Sequence, residues 1–139
     1  MALFPASFEL SSLDGTNGFV LNGTDNLDRA GYSVSSAGDI NNDGIDDVLT
    51  IAPSAGADGE AYVVFGKSTG FSSSLDLSAL NGNDGFILEG APRFNFSAEA
   101  VRNVGDVNGD NISDIVIGVN GIYGGGGIHC VTMQEPKIE

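Results

Sequence analysis

The chain has 139 residues, of which 41% are hydrophobic and 17% charged, so it is long enough to form one ordinary folded domain. Its 19 Asp and Glu residues against 5 Lys and Arg give a net charge of −14, which repels phosphate backbones and anionic lipid and attracts cations. Nucleic acid and membrane insertion are therefore not expected. The 21 Gly residues indicate many turns between short elements.

Few residues offer catalytic or redox chemistry. Cys130 is the single cysteine, so the chain cannot build an intrachain disulfide or a thiolate zinc cluster. With one histidine, His129, and no tryptophan, familiar catalytic sets are scarce. Residues 1–5 lack the basic and apolar regions of a signal peptide, and no apolar run reaches the roughly 18 residues of a membrane span. We therefore expect a soluble chain that is not an enzyme.

The sequence repeats itself at an offset of 67 residues from Phe8 onward. The identities that recur at this offset are Leu10, Leu13, Gly15, Gly18, Phe19, Leu21, Gly23, Val34, Gly38, Asp39, Asn41, Asp43, Ile45 and Asp47. The repeat divides the chain into an N-terminal arm (1–7), a first unit (8–74), a second unit (75–133) and a C-terminal tail (134–139). Units of this length usually need stacked neighbours to bury their faces.

Short runs bounded by Gly, Asn and Asp predict four strands, at 30–37, 46–52, 60–66 and 85–89. β-Branched and aromatic residues are frequent in them, and no helical stripe of useful length occurs. Residues 97–104 alone resemble a helix, but they align with the strand at 30–37. The sequence therefore predicts an all-β fold in which each unit forms a small antiparallel sheet.

The loops between the first and second strands carry oxygen side chains at alternate positions. The candidate metal ligands are Asp39, Asn41, Asp43, the backbone carbonyl of Ile45, and Asp47, and in the second unit Asp106, Asn108, Asp110, the carbonyl of Ile112, and Asp114. Tight loops of this kind supply the six to eight oxygens that Ca²⁺ needs. Asx-rich segments also form turns without a metal, but two copies in register favour metal binding. We therefore predict two Ca²⁺ ions per chain.

The spacing also matches the start of an EF-hand or dockerin loop. Those loops need an acidic ligand at position 12, where this chain has Thr50 and Ile117. Strand-like residues follow both loops, and no exiting helix is predicted. The EF-hand interpretation therefore fails in both units.

The chain resembles the FG-GAP repeats, which form the blades of the integrin α-subunit β-propeller and its bacterial relatives. The residues that carry the resemblance are the two loops, Ile51-Ala52-Pro53, Tyr62-Val63-Val64-Phe65-Gly66 and Ile117-Gly118. It implies a seven-bladed propeller with calcium in certain loops, displayed outside the cell or on its surface for adhesion or ligand binding. The second loop has Asn111 where the first has Gly44, so we expect the second site to bind less tightly. The last strand, 127–133, lacks the aromatic-Gly ending.

Two units cannot close a propeller, which usually has four to eight blades. Residues 18–22 read as the fourth strand of a blade that precedes the first complete one. This strand would complete a blade of a neighbouring copy, giving a ring of three or four chains, or the chain is a truncated piece of a longer FG-GAP protein. The expected partners are therefore other copies of the chain or the remaining blades.

Two functions remain open at this stage. The first is a calcium-stabilised module for protein recognition or cell adhesion, in which the metal is structural. The second is a sugar-binding propeller. The external ligand would then be an extracellular protein or a glycan.

Overall fold

The computed structural model describes residues 5–90, 100–119 and 127–133. The strands are β1 (Val20–Asn22), β2 (Ser33–Gly38), β3 (Asp47–Ala52), β4 (Glu60–Val64), β5 (Ser74–Asp76), β6 (Gly85–Glu89), β7 (Ala100–Gly105), β8 (Asp114–Val119) and β9 (Gly127–Val131). Two single turns of 3-10 helix lie at Leu10–Ser12 and Leu77–Ala79, and the described residues contain no α-helix. No helix in the described part of the chain is long and apolar enough to cross a membrane.

The strands form two blades of antiparallel sheet. The first blade has the order β2-β3-β4-β6, and the second has the order β7-β8-β9. These strands lie where the sequence predicted them, and β7 replaces the helix that 97–104 resembled, as far as that segment is described. The prediction of an all-β fold built from β-propeller blades is confirmed.

The first blade is buried on both faces. Alternate side chains of its central strands point to opposite sides, and each set packs in a cluster of its own. Ala61 and Val63 of β4 pack in a cluster with Ile115 and Ile117 of β8, so this face meets the second blade. Tyr62 and Val64, on the other side of β4, pack with Leu77 and, at the edge of that cluster, with Leu21 and Leu75. The segments that hold β1 and β5 therefore cover the face of the first blade that points away from the second.

A parallel pairing of β1 with β5 was not predicted from the sequence. Val20 pairs with Ser74 and Asn22 with Asp76, and the Val20 N–H donates to the Ser73 carbonyl at 3.0 Å. The Phe19 ring stacks on Phe71 with the centroids 3.9 Å apart. One edge of the N-terminal strand is therefore already occupied within the chain.

A β-bulge ends the first strand of each blade. The register shifts between Ser36 and Gly38 in β2 and between Asn103 and Gly105 in β7. Gly38 and Gly105 have φ of 70° and 74°, a left-handed conformation that glycine adopts without strain. They differ in their surroundings: a Cβ on Gly38 would clash with Asn103 and Ser113 of the second blade, whereas one on Gly105 would have no neighbour within 4 Å.

This difference predicts unequal effects of two alanine substitutions. Gly105→Ala carries only the strain of a left-handed alanine, about 1–2 kcal/mol, whereas Gly38→Ala adds a clash between the blades. We expect Gly38→Ala to lower the free energy of unfolding by at least about 1 kcal/mol more than Gly105→Ala does. Urea unfolding of both variants measures the difference. Equal losses would show that the blades are not packed at Gly38 as described.

Candidate metal centres

The two candidate loops connect β2 to β3 and β7 to β8, and each begins directly after a bulge. The bulge turns the chain out of the sheet at the first predicted ligand, Asp39 in one loop and Asp106 in the other. The loops are neighbours in the fold, because the Ser113 N–H donates to the Asp39 carbonyl at 3.2 Å. The structure thus brings both sets of predicted ligands to the same end of the blades.

Side-chain oxygens organise the backbone of the first loop. Asp39 accepts hydrogen bonds from the Asp43 N–H at 2.9 Å and the Gly44 N–H at 2.8 Å. Asn41 Oδ1 accepts from the Asp43 N–H at 3.1 Å, and Asp43 Oδ1 accepts from the Ile45 N–H at 2.9 Å. The loop therefore wraps around the side chains at its first, third and fifth positions.

The second loop repeats these four hydrogen bonds and adds a fifth, from the Gly109 N–H to Asp106 Oδ1 at 2.6 Å. Asp106 accepts from the Asp110 N–H at 3.1 Å and the Asn111 N–H at 2.8 Å. Asn108 Oδ1 accepts from the Asp110 N–H at 2.9 Å, and Asp110 Oδ1 accepts from the Ile112 N–H at 2.9 Å. Two loops with different intervening residues thus adopt one conformation, which indicates that the alternate oxygens determine it.

A buried carboxylate closes each loop at its ninth position. Asp47 is 1% exposed; its Oδ2 accepts from the Ile40 N–H at 2.9 Å and its Oδ1 from the Gly66 N–H at 2.8 Å. Asp114 makes the equivalent bonds to the Val107 N–H at 2.8 Å and the Met133 N–H at 3.1 Å. Each carboxylate therefore ties the start of its loop to the residues that follow the third strand of the same blade.

The carboxyl groups of the loops have different electrostatic surroundings. Burial raises the pKa of Asp47 above its usual value of 3.8, and the nearby charges of Asp43 and Asp39 raise it further, although the two backbone N–H groups oppose the shift. Backbone N–H groups, Asn111 first among them, lower the pKa of the exposed Asp106. The first loop therefore concentrates negative charge around a group that loses water on folding.

Each loop has two left-handed positions, and the two loops fill them in opposite ways. The fourth position is Asn42 in the first loop (φ 60°) and Gly109 in the second (φ 82°). The sixth position is Gly44 in the first (φ 86°) and Asn111 in the second (φ 69°). One Gly and one Asn therefore occur in each loop, so backbone strain gives no reason to rank the second site below the first.

The oxygen donors of the loops suit a hard cation in kind and number. Each loop offers three carboxylates, one amide oxygen and the carbonyl of Ile45 or Ile112, and Ca²⁺ prefers such oxygens. Among residues 5–90, 100–119 and 127–133, however, no three His, Cys, Asp or Glu side chains form a group that could hold a metal ion. The backbone bonds do not block ligation: Asp106 Oδ1 accepts two of them, but Asp106 Oδ2 accepts only one and keeps its second lone pair.

Two parts of this arrangement were missed in the sequence. The N–H of Gly66 completes the contacts of Asp47, and Met133 fills the same role in the second blade although it departs from the aromatic-Gly ending. A backbone donor leaves no signature in residue type, so only the 67-residue offset between these two positions could have indicated it. The Ser113 contact between the loops likewise has no sequence signal.

Antiparallel blades that repeat along the chain, each with an acidic loop between its first two strands, define a β-propeller repeat protein. Residues 30–64, which hold β2, β3 and β4, match the FG-GAP repeat. The chain is also 30% identical over 102 residues to integrin alpha-4 of Xenopus laevis, an alignment that covers 72% of this chain and 9% of the relative. The chain therefore contains an FG-GAP repeat and is similar to an integrin α subunit over most of its own length, and it spans less than a tenth of that relative's length.

The raised pKa of Asp47 predicts a pH dependence of stability in metal-free buffer. The folded chain holds this proton more tightly than the unfolded chain, so Asp47 favours folding below pH 3.8, and this contribution is lost as the pH rises through the folded-state pKa. Relative to Asp47→Asn, the free energy of unfolding of the unmodified chain should therefore fall with rising pH. Urea unfolding between about pH 3 and pH 6 measures it.

Asp106 is the control for this measurement because its pKa is lowered. The stabilisation that Asp106 contributes is present above pH 3.8 and is lost as the pH falls through its folded-state pKa. Relative to Asp106→Asn, the free energy of unfolding of the unmodified chain should therefore rise with rising pH. Slopes of the same sign for both positions would contradict the electrostatic description of the first loop.

Proposed function

We propose that the chain is a calcium-binding, integrin-like propeller module for protein recognition or cell adhesion, with one Ca²⁺ in each loop. The ligands would be Asp39, Asn41, Asp43, the Ile45 carbonyl and Asp47 in the first loop, and their equivalents Asp106, Asn108, Asp110, Ile112 and Asp114 in the second. The observation that carries the proposal is that the same four backbone hydrogen bonds to these oxygens recur in both loops.

A cation would act on structure and not on a reaction. The chain carries a net charge of −14, and three carboxylates in each loop repel one another when ionised. Bound Ca²⁺ supplies the positive charge that offsets this repulsion. The surrounding groups hold the loop: the Ile40 and Gly66 N–H groups orient Asp47, and the Ser113 N–H positions the neighbouring loop against it. The metal would therefore fix the loops at one end of the blades.

The recognition role is supported by the FG-GAP repeat at residues 30–64 and by similarity to a protein named integrin alpha-4. From this similarity we infer an extracellular or cell-surface location and an extracellular protein as the ligand. The acidic charge supports neither nucleic acid binding nor insertion into a membrane. We likewise propose that the module is not an enzyme.

A glycan is the second candidate ligand, and a cavity beside the first loop favours it. The cavity has a volume of about 390 Å³ and is lined by Asn41 and Asp43 of the loop together with Phe65, Lys67 and Asn83. Amide, carboxylate and ammonium groups around one aromatic ring can hydrogen-bond and pack against a sugar. A glycan array separates the two candidates, because a saccharide hit lost in Asn83→Ala would favour the sugar-binding function.

The calcium proposal predicts that stability is linked to metal. Ca²⁺ that binds the folded chain and not the unfolded chain stabilises folding by mass action. Millimolar calcium should therefore raise the melting temperature of chelator-treated protein, by several degrees at about one hundred times the dissociation constant. Scanning calorimetry measures the shift, with sodium chloride of matched ionic strength as the control. An unchanged transition would remove the metal assignment from both loops.

Substitutions at the fifth position of each loop should change the number of calcium ions that the chain binds. Asp43→Ala and Asp110→Ala should each reduce the calcium bound from two ions to one, with dissociation constants between about micromolar and millimolar for the remaining site. Asp46→Ala is the matched control, because it removes an exposed carboxylate of the first loop that is not a proposed ligand. Titration calorimetry counts the sites. Two ions retained by either test variant would exclude that residue from the ligand set.

A further inference from the structure

We propose that the outer edge of β9 binds residues 18–22 of a second copy of this chain, in the register that β4 and β6 adopt within the first blade. Chains joined in this way run head to tail. The inference concerns strand pairing and goes beyond the proposed calcium function, because it does not depend on the metal.

The first blade shows the register proposed for β9 and residues 18–22 of a second copy. β4 and β6 are antiparallel, with Ala61 opposite Leu88 and Val63 opposite Phe86. The N–H of Phe65 donates to the Asp84 carbonyl, and the N–H of Gly90 donates to the Gly59 carbonyl, both at 2.9 Å. Hydrogen-bonded pairs alternate along an antiparallel ladder, so Val63 and Phe86 form one of them.

The 67-residue offset transfers this register to the ends of the chain. β9 (Gly127–Val131) is the equivalent of β4, and residues 18–22 are the equivalent of β6. In the described structure, β9 pairs with β8 and occupies the edge of its sheet. The expected partners are Phe19 opposite Cys130, and Leu21 opposite Ile128.

The backbone of the N-terminal segment already has the conformation that this pairing needs. Gly18 has φ 144° and Gly85 has φ 143°, and the turns before them are closed by the same bond, from the N–H of Gly15 or Gly82. In the first blade this conformation lets Gly85 lie against the Val63 carbonyl, where a Cβ would clash. Gly18 keeps the conformation although, among the described residues, no β4-like strand of its own chain lies against it.

The hydrogen-bonding groups of residues 18–22 also point the right way. The N–H of Val20 faces β5, where it donates to Ser73. Because successive N–H groups of a strand point to opposite edges, those of Phe19 and Leu21 face away from β5. Phe86 and Leu88, their equivalents in β6, use this same edge to pair with β4.

Two aliphatic side chains, those of Ile128 and Leu10, are exposed although their equivalents in the repeat are buried. Ile128 of β9 is 80% exposed, whereas the equivalent Ala61 of β4 is fully buried. Leu10 is 75% exposed, whereas the equivalent Leu77 is fully buried in a cluster with Tyr62 and Val64. In the proposed pair, Leu10 of one copy packs on the face of β9 that corresponds to the Tyr62 face of β4. Ile128 lies on the opposite face of β9, which corresponds to the face of the first blade that packs against the second blade.

The two edges belong to different copies because they lie on opposite sides of the first blade. Leu21 and Leu75 pack on one face of β4, and the second blade packs on the other face. A strand on one side cannot reach an edge on the other, so the interface is heterologous and repeats from copy to copy.

Disulfide trapping tests the register with the cysteine that the chain already has. In Phe19→Cys, the new thiol should lie opposite Cys130 of the next copy, with a Cα separation of about 5.5 Å that suits a disulfide. Mild oxidation should give bands at multiples of 14.2 kDa on a non-reducing gel, both with calcium and with chelator. Removing the native thiol, as in Phe19→Cys with Cys130→Ser, should abolish this cross-link.

Val20 provides a matched control because its side chain points to the opposite face from Phe19. Val20→Cys should cross-link at least about tenfold less than Phe19→Cys with the native Cys130, but it should cross-link fully with His129→Cys in a Cys130→Ser background. The pair of Val20→Cys with His129→Cys also keeps the Phe19 ring, so its cross-link tests the register without loss of the stacking on Phe71. Equal cross-linking of Val20→Cys and Phe19→Cys to Cys130 would overturn the register.

Sedimentation of the unmodified chain tests the association itself. A concentration-dependent species larger than one subunit is expected, and Leu10→Ser should weaken its assembly by about tenfold or more. Leu27→Ser is the control, because Leu27 is 83% exposed and has no place in the proposed pair. A folded species of one subunit mass at every concentration, without cross-links in either register-matched pair, would refute the proposal.

Discussion

The fold of each loop depends on one buried carboxylate that accepts two backbone hydrogen bonds. Asp47 joins the first residues of its loop to the chain just beyond β4, and Asp114 does the same beyond β9. Without these acceptors, the N–H groups of Ile40 and Gly66 would lose their partners within the fold, at about 1–3 kcal/mol each where they are cut off from water. The carboxylate connects three strands of a blade through two backbone contacts. Loop geometry and blade geometry therefore change together.

This clamp has an electrostatic cost in the first blade. Asp47 is buried, and the charges of Asp39 and Asp43 lie close enough to raise its pKa further. Removing the carboxylate would also remove the clamp, so the repulsion cannot be relieved by a neutral side chain without losing a backbone contact. A bound cation, as proposed, would keep the clamp and reduce the repulsion. The same residues would then serve the fold and the metal site.

Much of the fold could be predicted because it follows from local pattern. The β-branched runs predicted β3 and β4, and the repeat correctly assigned β7 where the local pattern of 97–104 resembled a helix. The alternate spacing of Asp39, Asn41 and Asp43 identified the loop. What could not be predicted depends on distant contacts: the pairing of β1 with β5 joins segments more than 50 residues apart, and three residues give too short a strand signal.

The ranking of the two loops shows a different limit of prediction. Asn111 replaces the glycine at the sixth position, and that single comparison favoured a weaker second site. The backbone shows that the fourth position is left-handed as well, where Gly109 replaces Asn42. Two turns that each have two left-handed residues have to be compared at both positions. A comparison of the sixth position alone misses the exchange of Gly and Asn at the fourth position.

The hydrogen bond from the Ser113 N–H to the Asp39 carbonyl also joins the two loops physically. If both loops bind a cation, the first ion to enter alters the position of a group that the other loop uses, and the second ion then binds with a different free energy. Linkage requires the effect to be equal in the two directions. Occupancy of one loop would then change the affinity of the other, and the blades would respond to the cation as one unit.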